Sequence, residues 1–194
     1  TRMTALDVRA CVNELKATVL GSKVVNIYDV SNKVYVIKSV RGGIQHNILV
    51  ESGVRIHATN YLRDKNRFPS AFALKLRKHI RNRRIEAVRQ IGFDRVVDLV
   101  FGNGETTYHV ILELYAGGNI ILTDYKFEIL ALLRVYKLAD GTEVNIRQRY
   151  DIQPKQHSPF ETIASMTTDT MSELISFFSS RWSELKAKEK QLKN

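Results

Sequence analysis

Residues 63–95, RDKNRFPSAFALKLRKHIRNRRIEAVRQIGFDR, decide how the chain is read. Ser70, which follows Pro69, has the side chain to cap a helix, and Phe72, Ala73, Leu76 and Ile80 then recur as one apolar helical stripe. Lys75, Arg77, Lys78 and Arg81 fall on the opposite face. From Arg84 the hydrophobic period drops to two, as in half-buried strands. The segment holds eleven Lys or Arg against three Asp or Glu, so a formal +8 of the chain's +10 sits here. A basic helical face is commonly just solvated. Acids that would pair with these bases at i, i+4 are missing within the helix, which leaves the positive field uncompensated and makes nucleic acid the expected partner.

Strand patterns extend from this helix in both directions. On the N-terminal side, Val24–Val30, Lys33–Val40 and Ile48–Ile56 are rich in β-branched and aromatic residues, with Ser31-Asn32 and Gly42-Gly43 as turns. On the C-terminal side follow Arg84–Ile91, Arg95–Phe101, Thr106–Tyr115, Asn119–Thr123 and Ile129–Tyr136, broken by Gly102-Asn103-Gly104 and Gly117-Gly118. Before all of these, Thr4 opens a T-A-L-D capping box, and Val8, Cys11, Val12, Leu15 and Val19 form one face of a helix that stops at about Gly21. The expected fold is α+β: a mainly antiparallel sheet, sandwich or barrel-like, with an N-terminal helix and a central basic helix, rather than a parallel βαβ fold. We expect residues 1–150 to form this domain. Residues 151–166, bracketed by Pro154 and Pro159, read as a linker or loop. Residues 167–194 read as a helical segment with Met171, Leu174, Ile175, Phe178, Trp182 and Leu185 on its apolar face, leading into a longer helical region.

Composition narrows the function. With 194 residues and 44% hydrophobic content the chain can bury a core. A pI near 9.8 calls for an acidic partner, and RNA, DNA and anionic membrane surfaces all qualify on charge. No apolar run approaches the roughly 20 residues that span a bilayer, and no signal-peptide core is apparent, so no membrane and an intracellular location are expected. The single cysteine, Cys11, excludes an internal disulfide and a Cys-based zinc cluster, and is read as a buried structural thiol. His46, His57, His79, His109 and His157 lack metal-ligand spacing, and the glycines form neither phosphate-loop nor dinucleotide motif. No metal, cofactor or catalytic group is expected.

What remains is an acid at the first helix, Asp7, and the pair Asp94-Arg95 just after Gly92. Each has a local explanation: Asp7 completes a capping box, and an Asp-Arg dipeptide caps a turn. The functional alternative is that these acids accept hydrogen bonds from base edges or ribose hydroxyls while neighbouring arginines hold phosphates, as in the recognition of a shaped RNA. A structural module in which the pair only holds the fold is a further alternative.

Six ordered blocks carry a resemblance: TALDVRA (4–10), NIYDV (26–30), ILVESGVRIHAT (48–59), PSAFALKLRKHI (69–80), GFDRVVDLVFG (92–102) and ELYAGGNIILTD (113–124). Together they resemble the N-terminal NFACT domain of the nuclear export mediator factor (NEMF) family, over about residues 3–136. The resemblance implies a fold similar to the N-terminal domain of formamidopyrimidine-DNA glycosylases, followed by helix-hairpin-helix and coiled-coil regions. It implies a role in ribosome-associated quality control: binding the large ribosomal subunit and its rRNA, recruiting aminoacyl-tRNA, supporting template-free tailing of stalled chains, and stabilising the ubiquitin ligase listerin through the full-length protein. Carried over residue by residue, the family's tailing residues match Asp7, Asp94 and Arg95. Arg9, Lys75, Arg77, Lys78 and Arg81 are assigned as phosphate contacts on charge alone. The implied location is cytoplasmic, with a nuclear one left open. A glycosylase-like enzyme is the alternative, but no proline precedes Pro69 to serve as the nucleophile those enzymes use, so no enzyme is expected.

Overall fold

The computed structural model describes residues 2–61, 64, 66–137, 141 and 143–153, all within one compact unit, Thr1–Gln156. The expected helical segment 167–194, and all but the first residues of the expected linker 151–166, lie outside the described residues. Among the described residues the unit contains two α-helices and antiparallel sheets, so the fold is α+β as expected.

Helix α1 (Ala5–Val19) begins at the Thr4 cap, buries Val8, Val12, Leu15 and Val19, and ends where Gly21 takes a φ of 75°. Strands β1 (Lys23–Asp29), β2 (Val34–Arg41), β3 (Ile44–Glu51) and β4 (Arg55–Ala58) form a meander in that order. The β2–β3 hairpin turns on Gly42-Gly43, both at positive φ, the geometry that suits a two-residue connection between twisted strands. Helix α2 (Ala71–Ile80) follows, then β5 (Ile85–Gln90), β6 (Val96–Phe101), β7 (Tyr108–Glu113), β8 (Asn119–Asp124) and β9 (Ile129–Leu132) form a second meander. A two-stranded ribbon, β10 (Tyr136–Lys137) with β11 (Glu143–Val144), follows.

A single core joins the inner faces of both meanders to both helices: Val8 and Leu15 of α1, Leu76 and Ile80 of α2, Ile27, Ile37 and Ile48 from the first sheet, and Leu99, Leu112 and Leu122 from the second. The second sheet is apolar on its other face as well. There Val96, Ile111, Ile121 and Ile129 are covered by Tyr150, with Val144 and Ile152 packed alongside. Burial on both faces explains why β6, β7 and β8 read as continuous apolar runs rather than strict alternations.

Several expected boundaries differ for identifiable reasons. The run Ile48–Ile56 is two strands, broken by a turn through Ser52 and Gly53. That turn is forced by contact between the sheets: the Gly53 amide donates to the Glu113 carbonyl at 3.2 Å, and a Cβ on Gly118 would sit on the Gly53 backbone. Bulges between Val24 and Asn26 and between Ile85 and Ala87 shift the period by one, so Val24 and Ile27, and Ile85 and Val88, all face the core. The run Ile129–Tyr136 stops at Leu132 and resumes at Tyr136, and the strand expected from Thr106 begins at Tyr108 after a 3₁₀ turn at Gly104–Thr106. Cys11 is half-buried at the edge of its stripe rather than buried.

Candidate nucleic-acid interface

The start of α1 and the tip of the β5–β6 hairpin are built against each other. At α1, Thr4 Oγ1 accepts from the Asp7 amide at 3.2 Å, while Asp7 Oδ2 accepts from the Thr4 amide at 2.8 Å and the Thr4 hydroxyl at 2.7 Å. These bonds, the backbone one first, hold the Asp7 carboxyl below its usual range although it is fully exposed. In the hairpin tip the Asp94 amide donates to the Ile91 carbonyl at 3.0 Å and the Ile91 amide to Val96 at 3.0 Å. Gln90 joins the two pieces, its Nε2 donating to the carbonyls of Ala5 at 3.0 Å and Asp94 at 2.9 Å.

Between them lies a cavity of about 520 Å³, within the range of small-ligand sites. Thr4, Asp94, Arg95 and Tyr115 give its walls polar groups, and Met3, Phe93 and Ile152 give apolar ones. Asp94 is buried and Arg95 half-buried. Asp7 does not line the cavity but holds Thr4, which does. The structure therefore gathers the sequence-derived trio at one end of the domain, with Asp94 and Arg95 in the wall and Asp7 one residue contact behind it. Arg9 is exposed further along α1.

A polar cluster that sequence reading missed stands behind the cavity. Glu113, buried at the end of β7, accepts at Oε1 from the hydroxyls of Tyr115 at 3.0 Å, Tyr136 at 2.9 Å and Tyr150 at 2.9 Å. Burial above all, then the neighbouring Glu113 charge, pushes all three phenols well above their ordinary range, so they act as donors. Tyr115 and Tyr150 also line the cavity, so Glu113 fixes part of its wall. A second missed group, Asp98, is fully buried between His109 Nδ1 at 3.0 Å and Arg89 at 2.7 Å, with the Phe127 ring against His109.

The basic face lies elsewhere, since no residue of α2 lines the cavity. α2 runs along β1, the edge strand of the first sheet. Arg77 Nε donates to the Ile27 carbonyl at 2.7 Å, with its guanidinium 5.7 Å from the Tyr28 ring centre, and Arg81 Nε donates to the Val25 carbonyl at 3.1 Å. Both arginines thus close carbonyls on the outer strand of the first sheet, where α2 packs against it. Lys75 and Lys78 are exposed. Among the described residues the ion pairs are Arg55–Glu51, Arg89–Asp98 and His109–Asp98, so none neutralises α2. His79, on the same helix, has its pKa lowered by burial and by Lys78, Arg83 and Lys75. Among the described residues no group of His, Cys, Asp and Glu is placed to hold a metal, and no helix is long and apolar enough to cross a membrane.

The family model described as NFACT N-terminal and middle domains matches residues 4–188. The chain belongs to the NFACT N-terminal family. Within that family it is 43% identical over 169 residues to the ribosome quality control complex subunit NEMF of Homo sapiens, an alignment covering 86% of this chain and 16% of that protein. It is 34% identical over 152 residues to ribosome quality control complex subunit 2 of Saccharomyces cerevisiae, covering 77% of this chain and 14% of that protein. The chain therefore spans about a sixth of the length of these curated relatives. Among solved structures, the N-terminal domain of fibronectin-binding protein PavA from Streptococcus pneumoniae superposes with a TM-score of 0.74 at 20% identity, covering 90% of this chain and 71% of that one. At that identity the likeness concerns the fold alone. It shows this NFACT domain sharing its architecture with a protein of very different sequence.

Proposed function

We propose that this NFACT domain is a non-catalytic RNA-contacting module of a cytoplasmic ribosome-associated quality control factor. In this reading Asp94 and Arg95, in the cavity wall, and Asp7, beside it, contact tRNA, while Arg9, Lys75, Arg77, Lys78 and Arg81 take phosphates of tRNA or rRNA. The full-length protein would bind the large ribosomal subunit, recruit aminoacyl-tRNA for template-free tailing and stabilise listerin. Peptide-bond chemistry would belong to the ribosome, with this protein acting by positioning its substrate.

The observation that carries the reading is the cavity itself. Two sequence-distant segments, 2–5 and 91–96, meet there around a buried carboxylate and a half-buried guanidinium. That pairing of an acceptor with a fork of donors suits the edge of a base and an adjoining phosphate. The relatives' names, ribosome quality control complex subunits, support the same setting.

The test is tRNA binding by the purified chain at two salt concentrations, comparing wild type with the combined variant Asp7→Ala, Asp94→Ala, Arg95→Ala, each checked by thermal melting. Weaker binding by a folded variant is expected. Equal binding by a folded variant would remove these residues from the tRNA contact.

A further inference from the structure

Phe68 is an exposed aromatic side chain carried by a loop whose backbone is fixed at both ends. Its loop starts and ends on the same buried residue, Asp29, at the end of β1. The Asn66 amide donates to the Asp29 carbonyl, Asn66 Nδ2 donates to Asp29 Oδ2, and the Ser70 amide donates to the same carboxylate oxygen, each at 3.1 Å. Ser70 is also fixed as the cap of α2, its Oγ accepting from the Ala73 amide at 3.2 Å. Pro69 locks its own φ and restricts Phe68 before it. Phe68 is nevertheless 78% exposed, and the Arg67 guanidinium lies 5.7 Å from the centre of its ring.

A lone exposed apolar side chain is ordinary, whereas one on a backbone pinned at both ends is presented without the freedom to fold back. The surroundings say what it is presented to. Tyr61, earlier in the same connection, is 86% exposed, and Leu74 in the first turns of α2 is 51% exposed. Between residues 59 and 80 the sequence has six Lys or Arg and one acid, Asp64. Aromatic rings projecting from a positive surface fit an unpaired nucleic-acid strand, whose bases supply π faces and whose phosphates supply the opposite charge. A protein partner with an apolar knob would fit the ring but not the charge.

We propose that Phe68 is a stacking platform for an unpaired base of single-stranded RNA, with Arg67 and the exposed lysines of α2 taking the flanking phosphates. The inference rests on the RNA-contacting reading and extends it to a second surface, whose residues line no part of the cavity.

The test measures binding of the 194-residue chain to a single-stranded oligoadenylate carrying one 2-aminopurine, to an RNA duplex of the same length, and to tRNA. Phe68→Ala should weaken single-strand binding about five- to a hundred-fold and abolish the stacking quench of 2-aminopurine. It should leave duplex binding and the slope of log K against log salt unchanged, because no charge is removed. Phe68→Trp should retain the quench. Wild-type single-strand affinity in Phe68→Ala, or an equal loss on single strand and duplex, overturns the platform. Failure of the wild-type chain to bind the oligomer overturns it too. If tRNA is still bound in that case, the cavity reading stands alone.

Discussion

Replacing Glu113 with alanine removes the acceptor on which the hydroxyls of Tyr115, Tyr136 and Tyr150 converge. A hydrogen bond to a charged group contributes about 1.5–3 kcal/mol, and a buried donor left without an acceptor costs about 1–3 kcal/mol. Tyr150, at 7% exposure, has little access to water, whereas the half-buried Tyr115 and Tyr136 can recover part of the loss. The total for Glu113→Ala is then about 3–5 kcal/mol, or roughly 10–15 °C in Tm at about 3 °C per kcal/mol for a domain of this size. Tyr150→Phe keeps the ring packed on Ile111, Ile121 and Ile129 and removes one donor, so about 1.5 kcal/mol and roughly 5 °C are expected. Because the partners are shared, the double variant should melt close to Glu113→Ala alone, and the missing increment is the coupling energy. Differential scanning calorimetry of the three variants reads this directly. A Tm for Glu113→Ala within about 2 °C of wild type would refute the claim that the cluster holds Tyr136 and Tyr150 to the second sheet.

Three other outcomes follow from the charges. Replacing Lys75 and Lys78 with glutamine should make the salt slope of tRNA binding shallower by about one or two units at unchanged Tm, whereas Arg77→Gln should also lower Tm because the Ile27 carbonyl loses its donor. Asp7, whose folded pKa lies below 3.8, supports α1 fully above that pH and loses its contribution as pH falls through the folded value; a carboxyl NMR titration that gives an ordinary value would contradict the capping geometry. His79 has the opposite charge type with the same direction in pH: its folded pKa lies below 6.5, so the unfolded chain takes up the proton first and stability declines as pH falls from about 6.5. His79→Gln should flatten the fall in Tm over that range.

The helices were legible because their signals are local: Thr4 and Ser70 cap, and single stripes face the core. The two meanders were legible from period and turn residues, as Gly42-Gly43 illustrates. What escaped was set by contacts between distant segments. Nothing near Gly53 announces that Gly118 must lie against it, so Ile48–Ile56 read as one strand. The bulges at Val25 and Glu86 alter which side chains face inward without leaving a compositional mark. Glu113 and Tyr150 are 37 residues apart, and each looks ordinary until the chain returns across the second sheet. For the candidate site, Asp7, Asp94 and Arg95 were picked out by pattern and resemblance, but the cavity behind them depends on Ile152 and Tyr115, which carried no signal of their own.

The two kinds of cation on α2 divide its work along lines that their chemistry sets. Arg77 and Arg81, one turn apart, reach carbonyls two residues apart on β1, and Asn66 closes a third carbonyl at Asp29. A guanidinium can spend its Nε on a backbone carbonyl and keep a full charge, because it has further donors and does not deprotonate. Lysine offers a single compact charge, and Lys75 and Lys78 are exposed with no ion pair among the described residues. The arginines therefore seal the sheet edge while adding to the field, and the lysines add to the field alone. A helix built this way holds its positive charge in a fixed position, because Arg77 and Arg81, which add to the field, also bind it to the sheet.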